Sequence, residues 1–191
     1  MASGLTHLQA YVDALPMGEP LPVERWNPPF CGDIDLRITH DGVWFYNGTP
    51  IQRAAMVQLF ARVLRKEGDA YFLVTPVEKL GIIVEDVPFI AVEMTVGKGE
   101  AGQTLTFRTN MGDTVTADAG HAWRFETGDD GFKPYIEVRR GLFARLSRSV
   151  AQELAALGHV KDHEGEPWFG VMASGAFVPI ARADPVSGEP V

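Results

Sequence analysis

Apolar positions along this chain change period several times, and each change marks an element. Leu5, Leu8, Tyr11, Val12 and Leu15 recur at helical spacing and predict an opening helix that Pro16 ends. Pro16, Pro20, Pro22, Pro28 and Pro29 make 16–29 an extended connector, because proline fixes φ and restricts its predecessor. From Asp33 the period is two. Ile34, Leu36 and Ile38 point one way, while Asp33, Asp35 and Arg37 point the other. Asp41-Gly42 turns the chain into a second strand over 43–46, closed by Asn47-Gly48.

Two threonine–proline segments follow, Thr49-Pro50-Ile51-Gln52 and Thr75-Pro76-Val77-Glu78, and both read as capping boxes with proline at the first helical position. The first predicts a long helix burying Met56, Leu59, Phe60, Val63 and Leu64, stopped by Gly68, with Arg62, Arg65 and Lys66 in its last turns. The second predicts one helical turn between strands over 71–74 and 82–85.

From Phe89 the pattern is mostly β, with strands expected over 89–96, 104–109, 114–117, 122–126 and 135–139. Leu142, Leu146, Val150, Leu154 and Leu157 then predict a second helix over 142–157, ended by Gly158. A last strand region, 168–180, breaks at Ser174-Gly175, and 183–191 reads as a flexible tail. The expected fold is α+β in two small domains, 1–87 and 88–182. A strand–helix motif is duplicated, with Gly48 and Arg53 echoed by Gly141 and Arg145.

Composition narrows the partners. Seventeen basic against 25 acidic residues leave a formal charge of −8, which repels nucleic acid and anionic membranes in the absence of a local basic patch. A single cysteine, Cys31, excludes an internal disulfide and reads as a small buried hydrophobe. The N-terminus lacks the basic and apolar regions of a signal peptide, and no apolar run approaches the roughly 20 residues of a membrane span. A cytoplasmic protein is expected.

Several segments, in order, resemble the bacterial DUF1285 family, whose function is unknown. They include Trp26-Asn27-Pro28, Cys31-Gly32-Asp33-Ile34-Asp35, Asp41-Gly42-Val43-Trp44, Gly48-Thr49-Pro50-Ile51 and Thr75-Pro76-Val77-Glu78-Lys79. The likeness continues through Phe107-Arg108-Thr109-Asn110, the run from Pro134 to Leu142, and Ser174-Gly175-Ala176-Phe177, spanning roughly 21–180. The resemblance implies an α+β fold with a duplicated motif and a pleckstrin-homology-like C-terminal half of antiparallel strands with a C-terminal helix. It also implies a groove between the domains for a nucleotide-like ligand, with a signalling role. It carries no catalytic residues.

Candidate chemistry is thin. Asp33 and Asp35 could hold a hard cation or work as an acid–base pair, or lie on a solvated face balanced by Arg37. The Thr75 turn, with Glu78 and Lys79, offers backbone N–H groups to an anion, unless Glu78 occupies them. Arg53, Arg139 and Arg145 are the arginines best suited to forked contact with phosphate or carboxylate. His159 and His163 have zinc-ligand spacing only if helical, and Gly158 argues against a helix there. Walker, nucleophile-elbow and Cys-x-x-Cys patterns are absent, and no cofactor is expected. The sequence therefore reads as a non-enzymatic module taking a small anionic, nucleotide-like ligand between its domains. Asp33, Asp35, Arg37, Arg53, Thr75, Glu78, Lys79, Arg139 and Arg145 are its candidate contacts. Two alternatives stay open: a metal-dependent hydrolase using Asp33 and Asp35, and a protein-interaction module with a protein partner and no small ligand.

Overall fold

The two stretches of period-two patterning fold into two six-stranded sheets, and a third sheet of three strands follows. The computed structural model describes residues 21–128 and 131–183. The helix expected over 5–15 and the tail beyond 183 lie outside the described residues. The chain divides into two compact units. One runs up to Pro88 and includes Arg140–Leu142; the other takes Phe89–Arg139 and the residues from Phe143 onward.

The first unit opens on a 3-10 turn, Val23–Arg25. Strands β1 (Phe30–Ile38), β2 (Trp44–Tyr46) and β3 (Thr49–Pro50) then form an antiparallel meander. Helix α1 (Ala54–Arg62) leads to a second meander, β4 (Leu64–Glu67), β5 (Ala70–Val74) and β6 (Lys79–Val84). The two meanders join through β1 and β6, which run parallel, giving the order β3-β2-β1-β6-β5-β4. Leu36 and Ile38 are fully buried and Asp33, Asp35 and Arg37 exposed, as the alternation requires. Trp44, Phe60, Val63, Leu73 and Val74 are buried with them.

The second unit repeats that strand plan. Strands β7 (Phe89–Gly99), β8 (Gly102–Thr109) and β9 (Thr114–Thr116) form one meander; β10 (Trp123–Gly128), β11 (Gly131–Arg139) and β12 (Leu142–Leu146) form the other. The order is β10-β11-β12-β7-β8-β9, and the first and last strands, β7 and β12, again pair in parallel. Helix α2 (Arg148–Ala156) follows, capped by the Ser147 hydroxyl, which accepts from the Val150 N–H. It buries Val150, Ala151 and Leu154 and lies against β7 and β11. The third sheet, β13 (His159–His163), β14 (Glu166–Ala173) and β15 (Ala176–Arg182), is antiparallel throughout.

The expected α+β architecture is present and mostly β, but several local readings are corrected. The Thr49-Pro50 capping box does not form. Asn47-Gly48, with φ of 48° and 71°, makes a tight hairpin turn, and Thr49 and Pro50 pair with Tyr46 and Phe45 on the edge strand. The helix begins four residues later, with Arg53 at its N-cap and no side-chain cap. It also stops earlier than Gly68: 64–67 is a strand, and Gly68, with φ of 57°, turns it into β5. Residues 142–146 are strand rather than helix, since Leu142, Ala144 and Leu146 are buried while Phe143 and Arg145 are only half-buried. Leu142 and Leu146 satisfy a period of two as well as a helical period. The duplication therefore lies in strand order rather than in a strand–helix motif. Gly48 and Gly141 both sit in hairpin turns, and the helices occupy different places in the two units.

Candidate functional site

The predicted contacts in the first unit fall on three different elements. Asp33, Asp35 and Arg37 lie on the exposed face of β1. The Asp33 carboxylate occupies the space over Gly81 that a side chain there would need. Arg37 pairs with Glu85 at 3.6 Å, and Glu85 also accepts from the His40 backbone and stands 2.9 Å from His40 Nδ1. Those His40 contacts, the ring first, hold the Glu85 carboxyl below the usual glutamate range. Among the described residues no group of three or more His, Cys, Asp or Glu side chains is disposed to hold a metal. Arg53 is exposed at the N-cap of α1.

Thr75 and Glu78 lie in the turn between β5 and β6, Lys79 opens β6, and no helical turn follows Thr75. The buried Thr75 hydroxyl accepts from Val77 N–H at 3.4 Å and Glu78 N–H at 3.2 Å. The donors expected to serve an anion are therefore used by the turn's own threonine. Lys79 reaches Glu67 at 3.0 Å and lies 4.9 Å from the Phe72 ring centre. In the second unit, Arg139 pairs with Asp113 at 2.8 Å and covers the Phe89 ring at 5.0 Å. Arg145 is half-buried on β12, opposite Ile90. His159 and His163 sit on strand β13 and flank Phe177, with ring centres at 5.8 and 5.9 Å. Cys31 is exposed, correcting the expectation of a buried residue.

A pocket of about 340 Å³ opens in the first unit where the 23–27 segment meets edge strand β4. The sequence reading did not anticipate it. Trp26 and Asn27 form one wall; Arg65, Lys66 and Glu67 form another. Arg65 builds the junction. One guanidinium nitrogen donates to the Val23 carbonyl at 3.2 Å and the Trp26 carbonyl at 2.7 Å, and the other pairs with Glu67. Its Nε is buried with no hydrogen-bond partner among the described residues. Glu24 and Arg140 pair at the rim. Arg140 adopts φ of 47° beside Gly141, a turn position that a bulky side chain takes at a cost. Asn27 is exposed with no hydrogen bond among the described residues. Lys66 has no carboxylate partner among them, its ammonium lying 5.5 Å from the Tyr71 ring centre.

Lys79 above all, then Arg65, holds the Glu67 carboxyl below the usual range, against an opposing effect of burial. A lowered folded-state value stabilises the fold above the ordinary glutamate range. That contribution disappears as pH falls through the lowered value. In acid titrations of the unfolding midpoint, Glu67→Gln should therefore flatten the decline in that window and lower stability near neutrality. An unchanged acid limb would refute the linkage.

The geometry can be set beside known proteins. The N-terminal domain of the DUF1285 proteins, a domain of unknown function, matches residues 21–87, and their C-terminal domain matches 88–180. The chain belongs to the DUF1285 family. The crystal structure at 2.50 Å of a DUF1285 protein from Silicibacter pomeroyi DSS-3 is 45% identical. That match covers 92% of this chain and 94% of the other, with a TM-score of 0.83. A DUF1285 protein from Shewanella baltica OS155, solved at 1.40 Å, is 31% identical over 62% of this chain and 87% of its own, with a TM-score of 0.51. No curated protein matches. No described helix is long and apolar enough to cross a membrane. The match to the family's N-terminal domain takes in every lining residue of the pocket except Arg140, which falls in the stretch matched by the C-terminal domain.

Proposed function

We propose that the protein is a non-enzymatic module that captures a small anionic ligand with a flat ring, in the pocket between the 24–27 segment and β4. The observation that carries the reading is a concave site whose ammonium (Lys66) has no carboxylate partner and whose amide (Asn27) has no hydrogen bond among the described residues, beside the half-buried Trp26. Convergent polar groups against an aromatic wall are the usual make-up of a small-molecule site. Lys79 takes part at one remove, through Glu67. A nucleotide fragment falls within this ligand class. The second unit's two antiparallel meanders, followed by α2, support a pleckstrin-homology-like docking role, through which ligand capture would be signalled. The exposed thiol of Cys31, the chain's single cysteine, supports a reducing, cytoplasmic setting.

Thermal unfolding against inorganic phosphate, nucleoside monophosphates, cyclic nucleotides, sugar phosphates and small aromatic acids tests the reading. A ligand present at a hundredfold excess over its Kd adds about 2.7 kcal/mol. At this size that is a rise of roughly 5–10 °C. The rise should disappear in Lys66→Ala and shrink in Asn27→Ala. A flat response across the panel would sink the proposal and move attention to protein partners.

A further inference from the structure

The charge pattern of this pocket selects among anions. Three cations and two carboxylates line it, a net of one positive charge. The pairs are largely made: Arg65 with Glu67, Arg140 with Glu24, and Lys79, just behind, also with Glu67. Lys66 is the cation left without a carboxylate among the described residues. A first negative charge on a ligand meets this ammonium. A second would face neutralised arginines and the two glutamates themselves, because like charges at close range disfavour one another.

Size and shape point the same way. About 340 Å³ is equivalent to roughly eleven water volumes. That accommodates a single ring with a substituent. Trp26 offers a flat wall, and such walls favour planar ring systems. The Asn27 amide carries two donors and an acceptor, enough to read a ring heteroatom or the second oxygen of a carboxylate.

We infer that the ligand is a small planar acid carrying one negative charge, an aromatic carboxylate in class, rather than a polyphosphate or a dianion. This rests on the pocket being the binding site, as proposed above. The acid's carboxylate lies against Lys66, its ring on Trp26, and its heteroatom or free oxygen on Asn27.

The test holds the ring constant and varies the charge. Nicotinamide, nicotinate and pyridine-2,5-dicarboxylate carry none, one and two negative charges, and ATP represents the polyphosphates. Each is titrated calorimetrically into the full-length protein at one fixed ionic strength. Nicotinate should bind at least about tenfold more tightly than the other three, equivalent to about 1.4 kcal/mol. Lys66→Met should reduce nicotinate to the affinity of nicotinamide and leave nicotinamide unchanged, a pattern that general unfolding would not produce. Tighter binding of ATP or the dicarboxylate, lost in Lys66→Met, would overturn the single-charge inference while leaving the pocket as the site. Absence of binding by all four probes and by the phosphates of the wider panel would overturn both. Nicotinate binding that ignores Lys66→Met would overturn the assignment of its carboxylate.

Discussion

Arg65→Met should lower the unfolding free energy by about 3 kcal/mol and abolish binding at the pocket together. The arginine is nearly buried, with 12% of its side chain exposed. Its fork ties the Val23 and Trp26 carbonyls to β4 across 42 and 39 residues of chain. Hydrogen bonds from a charged donor contribute about 1.5–3 kcal/mol each, and removing the donor leaves two carbonyls and Glu67 with less than their full complement. Methionine keeps much of the stem's packing, so the loss isolates the fork. Arg65→Lys should recover less than half of it, since one ammonium cannot reproduce a planar guanidinium reaching two carbonyls and a carboxylate. Urea denaturation measures this directly. A change within about 0.5 kcal/mol, the scale of an ordinary surface substitution, would show that the 23–27 segment is held by something else.

Gly170→Ala should cost a comparable amount, about 3 kcal/mol, in the second unit. A Cβ at this position on β14 would run into the Val178 carbonyl oxygen and stand 2.6 Å from the Phe177 ring. The ring could swing away, but the carbonyl belongs to the paired strand β15, beside the register shift between Phe169 and Gly170. Relief therefore means moving backbone, which is why the change is more disruptive than a single methyl suggests. Gly128→Ala is the control: no atom of the described residues comes within 4 Å of a Cβ there, and its unfolding midpoint should stay near that of the parent. Equal midpoints for the two variants would contradict the close approach at Gly170.

The strand ladder was legible because its evidence is local. Alternation at Ile34, Leu36 and Ile38 against Asp33, Asp35 and Arg37 fixes one face of β1 without knowledge of its neighbours. Where two periods coincide, local evidence fails. Val63 and Leu64 extend the α1 pattern by one turn, although Leu64 already belongs to β4. Leu142 and Leu146 are likewise four apart on a strand and would be four apart on a helix. Thr49-Pro50 carried a strong helix-start signal, but the pairing of both residues with β2 overrode it. Thr75 kept its hydrogen-bonding role and lost only the helix, because Glu78 returns its carbonyl to the Thr75 N–H and closes a turn.

The pocket was hidden for a different reason. Its walls come from 24–27 and 65–67, 38 or more residues apart in sequence, and the Arg65 fork ties them together. Read alone, Arg65 and Lys66 look like cations at the end of a helix. A signal was nevertheless present. Arg65, Lys66 and Glu67 precede Gly68-Asp69, the composition of a hairpin turn, and β-branched Val63 and Val74 face each other at the open end of the strand pair. All nine residues expected to make contact are among those described, but several are already engaged: Arg139 with Asp113, Arg37 with Glu85, and Lys79 with Glu67. A sequence lists its charges without saying which have been spent on one another.

The parallel seam in each sheet has a consequence for how the chain is made. In both units the strand that completes the middle of the sheet is the last of its six to leave the ribosome, and its partner is the first. Until β6 arrives, the inner edge of β1 has no neighbour on that side; β7 waits in the same way for β12. Each nascent unit is therefore two separate three-stranded ribbons with open backbone where its centre will be. Such edges are adhesive. Closing them late, across the whole length of the unit, is the kind of non-local step that slows folding and exposes a chain to mispairing. Because the two units have interchangeable strand plans, the partner most able to occupy an open seam by mistake is the other half of the same molecule.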